Sequence, residues 1–136
     1  MADRSMEKAK VLIVEDCDDA REMMAELLRF AGYRVEEARN GLEAYQLLSG
    51  SEEQPGVVLL DLMMPVMSGP ELVEALAADP RLASLPIVVV SAAIESISTG
   101  SVKRALRKPV SLELLLEVVD ECVATNGWST SPASAV

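Results

Sequence analysis

The chain contains no histidine, two cysteines, and only one tryptophan, two tyrosines and one phenylalanine among its 136 residues. The lack of histidine excludes Ser–His and Cys–His nucleophilic pairs and histidine-based zinc sites. Cys17 and Cys122 are too few and too far apart in sequence for a disulfide framework, so we expect two free thiols. With so few aromatic residues, the core must be built from aliphatic and methionine side chains.

Long hydrophobic runs and an excess of positive charge are also missing. No apolar run approaches the ~20 residues that a membrane-spanning helix needs, and the first residues do not resemble a signal peptide. Twelve basic residues face 22 acidic ones, a net charge of −10, which opposes nonspecific binding to nucleic acid or anionic membranes. We therefore expect a soluble cytoplasmic protein that binds neither nucleic acid nor membrane.

Three short apolar runs each end at a polar side chain. The runs are Val11–Val14, Val57–Leu60 and Ile87–Val90, and the residues that follow them are Glu15 with Asp16, Asp61, and Ser91. Apolar runs without alternation are typical of strands buried on both faces of a parallel sheet. In such sheets ligands bind at the carboxyl ends of the strands. We therefore expect these carboxylates and this hydroxyl to converge at one edge of the sheet.

Segments of helical periodicity alternate with the strand signals, which predicts an α/β domain with five strands and five helices. The expected sheet is parallel, with strand order 2-1-3-4-5 between two helix layers. Further predicted features are an N-cap at Asp18 or Asp19, strands at Tyr33–Glu37 and Arg104–Leu106, and an N-cap at Ser111. We expect an N-terminal extension over residues 1–7, one domain over 8–125 and a disordered tail over 126–136.

Carboxylates crowded at strand ends repel one another, and a bound cation relieves that repulsion. Mg²⁺ suits such a site because it takes carboxylate, carbonyl and water oxygens and leaves positions open for a phosphate. A carboxylate beside the metal could then attack phosphorus and form an acyl phosphate. Lys108 would supply a second positive charge, and Ser91 a hydrogen bond to a phosphoryl oxygen. A cis Lys108–Pro109 bond would aim the lysine into the site.

The motifs in this order resemble the receiver domain of bacterial two-component response regulators, the CheY-like family, over about residues 8–125. The matching segments are Val11–Asp16, Leu59–Pro65 followed by Gly69, Val88–Ala92, and Arg107–Pro109. The resemblance implies a flavodoxin/CheY-like fold and a site that binds Mg²⁺ or Mn²⁺. The implied roles are phosphoacceptor for Asp61, direct metal ligand for Asp16, water-mediated metal ligand for Glu15, metal-binding backbone carbonyl for Met63, switch hydroxyl for Ser91, small access residue for Ala92, and site lysine for Lys108.

The resemblance implies a single-domain response regulator rather than a conventional enzyme. It would accept a phosphoryl group from a histidine kinase or phosphotransfer protein, could catalyse its own phosphorylation and dephosphorylation, and would signal by contact with a downstream protein. The alternatives are a phosphate sink for a kinase and a pseudo-receiver that is never phosphorylated. A phosphatase of the haloacid dehalogenase type is disfavoured because it needs a second acid two residues after the nucleophile, where this chain has Met63.

The chain departs from the family pattern after Ser91. Ala105 stands three residues before the site lysine, where receivers usually have an aromatic ring, and Ser101-Val102 replaces the usual Gly-Ala. The interval from Ser91 to Lys108 is also short, so we expect the fourth helix to be shortened or absent. Our hypothesis is that residues 92–104 reorder directly on phosphorylation, which spectra with and without beryllofluoride would test.

Four basic residues cluster near the end of this region, at Lys103, Arg104, Arg107 and Lys108. Charges on an edge strand can prevent aggregation between sheets. The same cluster could instead dock an acidic partner surface. The sequence leaves both interpretations open.

Overall fold

A five-stranded parallel sheet in the order β2-β1-β3-β4-β5 forms the centre of the computed structural model, which describes residues 9–92 and 102–127. The strands are β1 (Lys10–Val14), β2 (Arg34–Ala38), β3 (Val57–Leu60), β4 (Ile87–Ser91) and β5 (Val102–Arg107). The helices of the described ranges are α1 (Asp18–Phe30), α2 (Gly41–Gly50), α3 (Gly69–Ala77) and α4 (Leu112–Gly127). The predicted fold class and strand order are confirmed.

Some predictions fall on residues that the structure does not describe. The predicted shortened or missing fourth helix lies between β4 and β5, where residues 93–101 are outside the described ranges. The N-terminal extension and residues 128–136 of the predicted tail are outside them as well. Within the described stretches, no helix combines the length and the apolar character needed to cross a membrane.

The sheet separates two aliphatic cores, which explains why the strand runs do not alternate. Leu12, Val58 and Leu60 face the core beneath α2 and α3. Ile13 and Leu59, whose side chains point to the opposite face, belong to the core beneath α1 and α4. Both faces of the central strands are therefore buried, as a parallel sheet between helix layers requires.

Tyr33 is the one aromatic residue in the core of the described ranges, with 4% of its surface exposed. Its hydroxyl donates a hydrogen bond to the carboxylate of Asp120 on α4. Burial and this neighbouring carboxylate raise the pKa of the Tyr33 phenol well above its ordinary value. The bond fastens the turn before β2 to the last helix. Cys17 is exposed and Cys122 is buried, and both are free thiols, as predicted.

The beginnings of the helices confirm one predicted cap and correct another. Ser111 caps α4, since its hydroxyl accepts a hydrogen bond from the Leu114 N–H at 3.0 Å. The predicted N-cap at Asp18 or Asp19 is wrong, because Cys17 occupies that position and makes no side-chain cap. Asp18 lies within the first turn of α1, and its carboxylate is bound by Arg21 instead.

Strand register places the residues that follow the strands beside one another. Val14 pairs with both Ala38 of β2 and Leu60 of β3. The backbone N–H of Asp61 donates to the Val14 carbonyl at 3.0 Å, so the pairing continues past the end of β3. Glu15 and Asp61 thus leave adjacent strands at the same level, at one edge of the sheet.

Candidate functional site

Asp61 is the central carboxylate of this edge and is only 7% exposed. Its Oδ1 accepts hydrogen bonds from the Ser91 hydroxyl at 2.8 Å and from the Met63 N–H at 3.2 Å. Its Oδ2 lies 3.6 Å from the ammonium nitrogen of Lys108. The two oxygens therefore have different surroundings, with two hydrogen-bond donors on Oδ1 and the lysine ammonium group near Oδ2.

Gly69, at the start of α3, is required by the close packing behind Asp61. A Cβ atom at this position would lie 2.7 Å from the Asp61 carbonyl oxygen and 2.6 Å from the Cα atom of Leu62. Both contacts are to backbone, so a side chain could be accommodated only if the backbone of Asp61 and Leu62 or the start of α3 shifted. The glycine of the sequence motif thus allows α3 to begin directly against the site.

Glu15, Asp16 and Asp61 form a cluster in which one carboxylate oxygen of each lies within 4.8 Å of the others. Glu15 is buried and Asp16 is exposed, so the cluster opens to solvent on the Asp16 side. Hard divalent cations such as Mg²⁺ prefer oxygen ligands of this kind. The residues present therefore fit the predicted metal site, as the chemistry of the donor set shows.

Lys108 joins two of these acids. Its Nζ lies 2.6 Å from Glu15 Oε1 and also approaches Asp61. Burial acts to lower the pKa of Lys108, but its bonds to the two carboxylates outweigh burial and raise that pKa above its ordinary value. Burial raises the pKa of Glu15, while Lys108 and the Cys17 N–H oppose that effect. The lysine is therefore held as a cation at the site.

Arg21 is a second cation beside the site; unlike Lys108 it is buried, and it was not predicted from the sequence. The residue is 6% exposed, and its guanidinium donates to the Glu15 carbonyl at 2.8 Å, to Asp18 at 2.5 Å and to Glu37 at 3.2 Å. The sequence did contain one indication of this burial, because Arg21 lies three residues before Met24 on the apolar stripe of α1. A charged residue on a core-facing stripe indicates a buried polar network.

The loop between Asp61 and α3 carries Met63, whose predicted metal-binding carbonyl stays a prediction. Val66 in this loop adopts φ 70°, a left-handed conformation that β-branched residues rarely take, and it is 73% exposed. The next residue, Met67, accepts a hydrogen bond from the Gly41 N–H at 3.0 Å. The loop is thus tied to the beginning of α2.

Lys108 and Ala92 lie where β5 and β4 end. The Lys108–Pro109 peptide bond is cis, as the sequence analysis considered. The Lys108 N–H donates to the Ser91 carbonyl at 3.0 Å, and the Arg107 guanidinium donates to the Ala92 carbonyl at 3.3 Å. The last residue of β4 and the residue after it are therefore bound by Lys108 and Arg107, two consecutive residues at the end of β5.

The four basic residues do not form a single patch. Lys108 belongs to the acid cluster, Arg107 contacts the Ala92 backbone, and Arg104 forms an exposed ion pair with Glu121 at 3.4 Å. Lys103 and Ala105 are exposed on β5.

Comparison with known proteins gives consistent matches. The family model described as "Response regulator receiver domain" matches residues 11–120. The polar-differentiation response regulator DivK of Brucella anthropi is 32% identical over 114 residues, which cover 80% of this chain and 91% of that protein. A CheY-like response regulator receiver domain protein from Methanospirillum hungatei is 31% identical, with a TM-score of 0.74 over 86% of this chain and 95% of that one. The chemotaxis response regulator CheY4 of Vibrio cholerae is 30% identical, with a TM-score of 0.74 over 85% and 98%.

Proposed function

The chain belongs to the response regulator receiver domain family, and from this premise we propose that Asp61 accepts a phosphoryl group from a histidine kinase or a phosphotransfer protein. The observation that carries the proposal is the asymmetric environment of the Asp61 carboxylate. Ser91 and the Met63 N–H hold Oδ1, while Lys108 and the acids Glu15 and Asp16 surround the opening. A buried strand-end aspartate needs such an arrangement to act as a nucleophile toward phosphorus.

In the proposed transfer an Asp61 oxygen attacks the phosphorus of a phosphohistidine. The P–N bond breaks, the donor imidazole leaves with its electron pair, and an acyl phosphate remains on Asp61. Lys108 is close enough to exchange its bond with Asp61 for one with a phosphoryl oxygen, and Ser91 can turn its hydroxyl to another. Their donors would then face the charge that arrives with the phosphoryl group.

Glu15, Asp16, Asp61 and the Met63 carbonyl would hold Mg²⁺ (or Mn²⁺), which supplies charge neutralisation for the phosphoryl oxygens. Glu15 would act through a bound water, because its Oε1 already accepts a hydrogen bond from Lys108 and its Oε2 one from the Cys17 N–H. We further propose that the chain is a phosphoacceptor switch in the cytoplasm rather than a conventional enzyme. It would catalyse its own phosphorylation from small phosphodonors and its own hydrolysis.

The output of the switch would be contact with a downstream protein. Ser91 links the site to β5, since its hydroxyl binds Asp61 while its carbonyl binds the Lys108 N–H. A movement of Ser91 toward a phosphoryl group would therefore act directly on the end of β5. A phosphate sink is the second candidate, favoured by Ala105, which is exposed and has no ring to transmit such a movement.

Intact-mass measurement after incubation with acetyl phosphate and Mg²⁺ tests the proposal. The wild type is expected to gain the mass of one phosphoryl group, and Asp61→Asn is expected to gain none. Asp19→Asn, which changes an exposed acid of α1, is the control and is expected to react like the wild type. A wild type that gains no mass would leave the chain as a pseudo-receiver.

A further inference from the structure

Arg21 holds the loop that carries two of the proposed metal ligands. Glu15 and Asp16 lie in the connection between β1 and α1, together with Cys17. The Arg21 guanidinium donates to the carbonyl of Glu15 at 2.8 Å, and its backbone N–H donates to the carbonyl of Cys17 at 2.9 Å. One residue therefore binds the carbonyl groups of Glu15 and Cys17, the residues before and after Asp16.

The guanidinium is itself fixed by acids on two elements. Its Nη2 donates to Asp18 in the first turn of α1, and its Nε donates to Glu37 of β2. These bonds leave the planar group little freedom, and they neutralise its charge inside the protein. The nitrogen that binds the Glu15 carbonyl is thus aimed by contacts lying outside the loop that it holds.

The other contacts of the loop explain why this bond matters. The Glu15 N–H donates to the Ala38 carbonyl at 3.0 Å, and the carboxylate of Glu15 is shared between Lys108 and the Cys17 N–H. The Glu15 carbonyl is bound by Arg21, and without that bond the peptide plane that leads to Asp16 could rotate. Rotation would redirect the Asp16 carboxylate, which is exposed and depends on its backbone for orientation.

We propose that Arg21 is a positioning residue for the divalent-cation site, acting through the Glu15 carbonyl to orient the carboxylate of Asp16. The proposal rests on the proposed function, because it needs a metal site at these acids. Residues that orient metal ligands from outside typically change metal affinity by about 10- to 100-fold when they are replaced.

Calorimetric titration of the unphosphorylated protein with Mg²⁺ tests this role directly. Arg21→Met and Arg21→Lys are expected to raise the Mg²⁺ Kd by about 10-fold or more. Lysine keeps the charge but cannot donate in three fixed directions, so it should not restore affinity. Arg29→Met is the matched control, since Arg29 is another arginine of α1 and binds the same Glu37 at 3.2 Å without reaching the loop. Its Kd should stay within about twofold of the wild type.

A second readout separates positioning from general damage. At saturating Mg²⁺ the Arg21 variants should recover most of the wild-type rate of phosphorylation by acetyl phosphate, because the reacting groups are unchanged. A folded Arg21 variant with the wild-type Kd would overturn the proposal. If neither Arg21 variant folds, Glu37→Ala provides the test, because it removes the acceptor of the Arg21 Nε hydrogen bond. A raised Mg²⁺ Kd in Glu37→Ala supports the role of Arg21, and an unchanged Kd overturns it.

The result for the wild type distinguishes the two proposals. A wild type that binds no Mg²⁺ contradicts the metal site of the proposed function, and the role of Arg21 is overturned with it. A wild type that binds Mg²⁺ while the variants bind equally well contradicts only the role of Arg21.

Discussion

The edge formed by β1, β3 and β4 differs sharply from β5, although both border the same site. Glu15, Asp61 and Ser91 are buried and are bonded within the site. On β5, Leu106 alone is buried, and the charged side chains meet solvent, a surface acid or a backbone carbonyl. The groups that would react are therefore more deeply buried and more fully hydrogen-bonded than β5, the strand that would transmit the change to a partner. Substitutions in the two regions should accordingly differ in how much they change phosphorylation and stability.

The largest effect on phosphorylation is expected for Lys108→Met, which removes the cation between Glu15 and Asp61. The rate of phosphorylation by acetyl phosphate should fall by about 100-fold or more, the usual cost of losing a donor that faces developing charge. Arg107→Met changes the neighbouring residue, whose guanidinium binds the Ala92 carbonyl and no acid of the cluster among the described residues, and it should keep most of the rate. Equal losses in both variants would remove the contrast between the two regions.

Gly69→Ala tests how tightly the reacting edge is packed. The new methyl group would collide with the backbone of Asp61 and Leu62, so we expect a loss of about 1–3 kcal/mol in the free energy of unfolding, with slower phosphorylation. Gly50→Ala is the matched control, because among the described residues nothing beyond the adjoining backbone lies within 4 Å of a Cβ there. Urea denaturation of both variants measures the difference. If Gly69→Ala is as stable as the control, the backbone around Asp61 and Leu62 can shift to accommodate a methyl group at little cost, which contradicts the prediction.

Tyr33→Phe tests a buried bond remote from both regions. Because the folded-state pKa of Tyr33 is raised, the stability it contributes is fully present below the ordinary tyrosine pKa of about 10 and falls as pH rises above it. The wild type should lose about 1.4 kcal/mol per pH unit from this residue in that range. Unfolding measured from pH 8 to 11 should show this part of the slope disappear in Tyr33→Phe but persist in Tyr45→Phe. If the free energy of unfolding changes equally with pH in Tyr33→Phe and Tyr45→Phe, the predicted contribution of Tyr33 is contradicted.

The smallest effect on folding is expected on β5. Replacing Arg104 and Arg107 together with glutamate breaks one exposed ion pair and one contact to the Ala92 carbonyl, so the free energy of unfolding should change by less than about 1 kcal/mol. Phosphorylation by acetyl phosphate should stay near the wild-type rate. If the basic residues dock an acidic partner, partner binding should be lost in the same variant. A severe loss of stability or of phosphorylation would show that β5 belongs to the tightly held region.

The parts of the site that could be predicted from the sequence are those whose signals are local. Asp61 and Ser91 each follow an apolar run directly, and parallel strands bring such positions to one edge whatever the details of packing. The N-cap of α1 was predicted incorrectly because Asp18, suited to capping by its side chain, is taken by Arg21 three residues later.

The missed features depend on contacts between distant segments. The role of Arg21 needs Glu37 of β2, sixteen positions away, which no periodicity within α1 reveals. β5 is longer than the predicted Arg104–Leu106 because Val102, Lys103 and Arg107 also pair with β4 or extend its ladder. Its exposed charges hide the strand signal, since pattern-based prediction depends on burial.

The left-handed Val66 shows that the loop after Asp61 is locally frustrated, in that its amino acid and its backbone prefer different conformations. Valine gains no burial there that would offset this conflict. The loop keeps its shape through its neighbours, among them Gly41, whose N–H binds the Met67 carbonyl and whose missing side chain leaves room for Met67. A side chain at position 41 would therefore disturb the loop beside Asp61, although Gly41 belongs to α2 and lies outside the acid cluster.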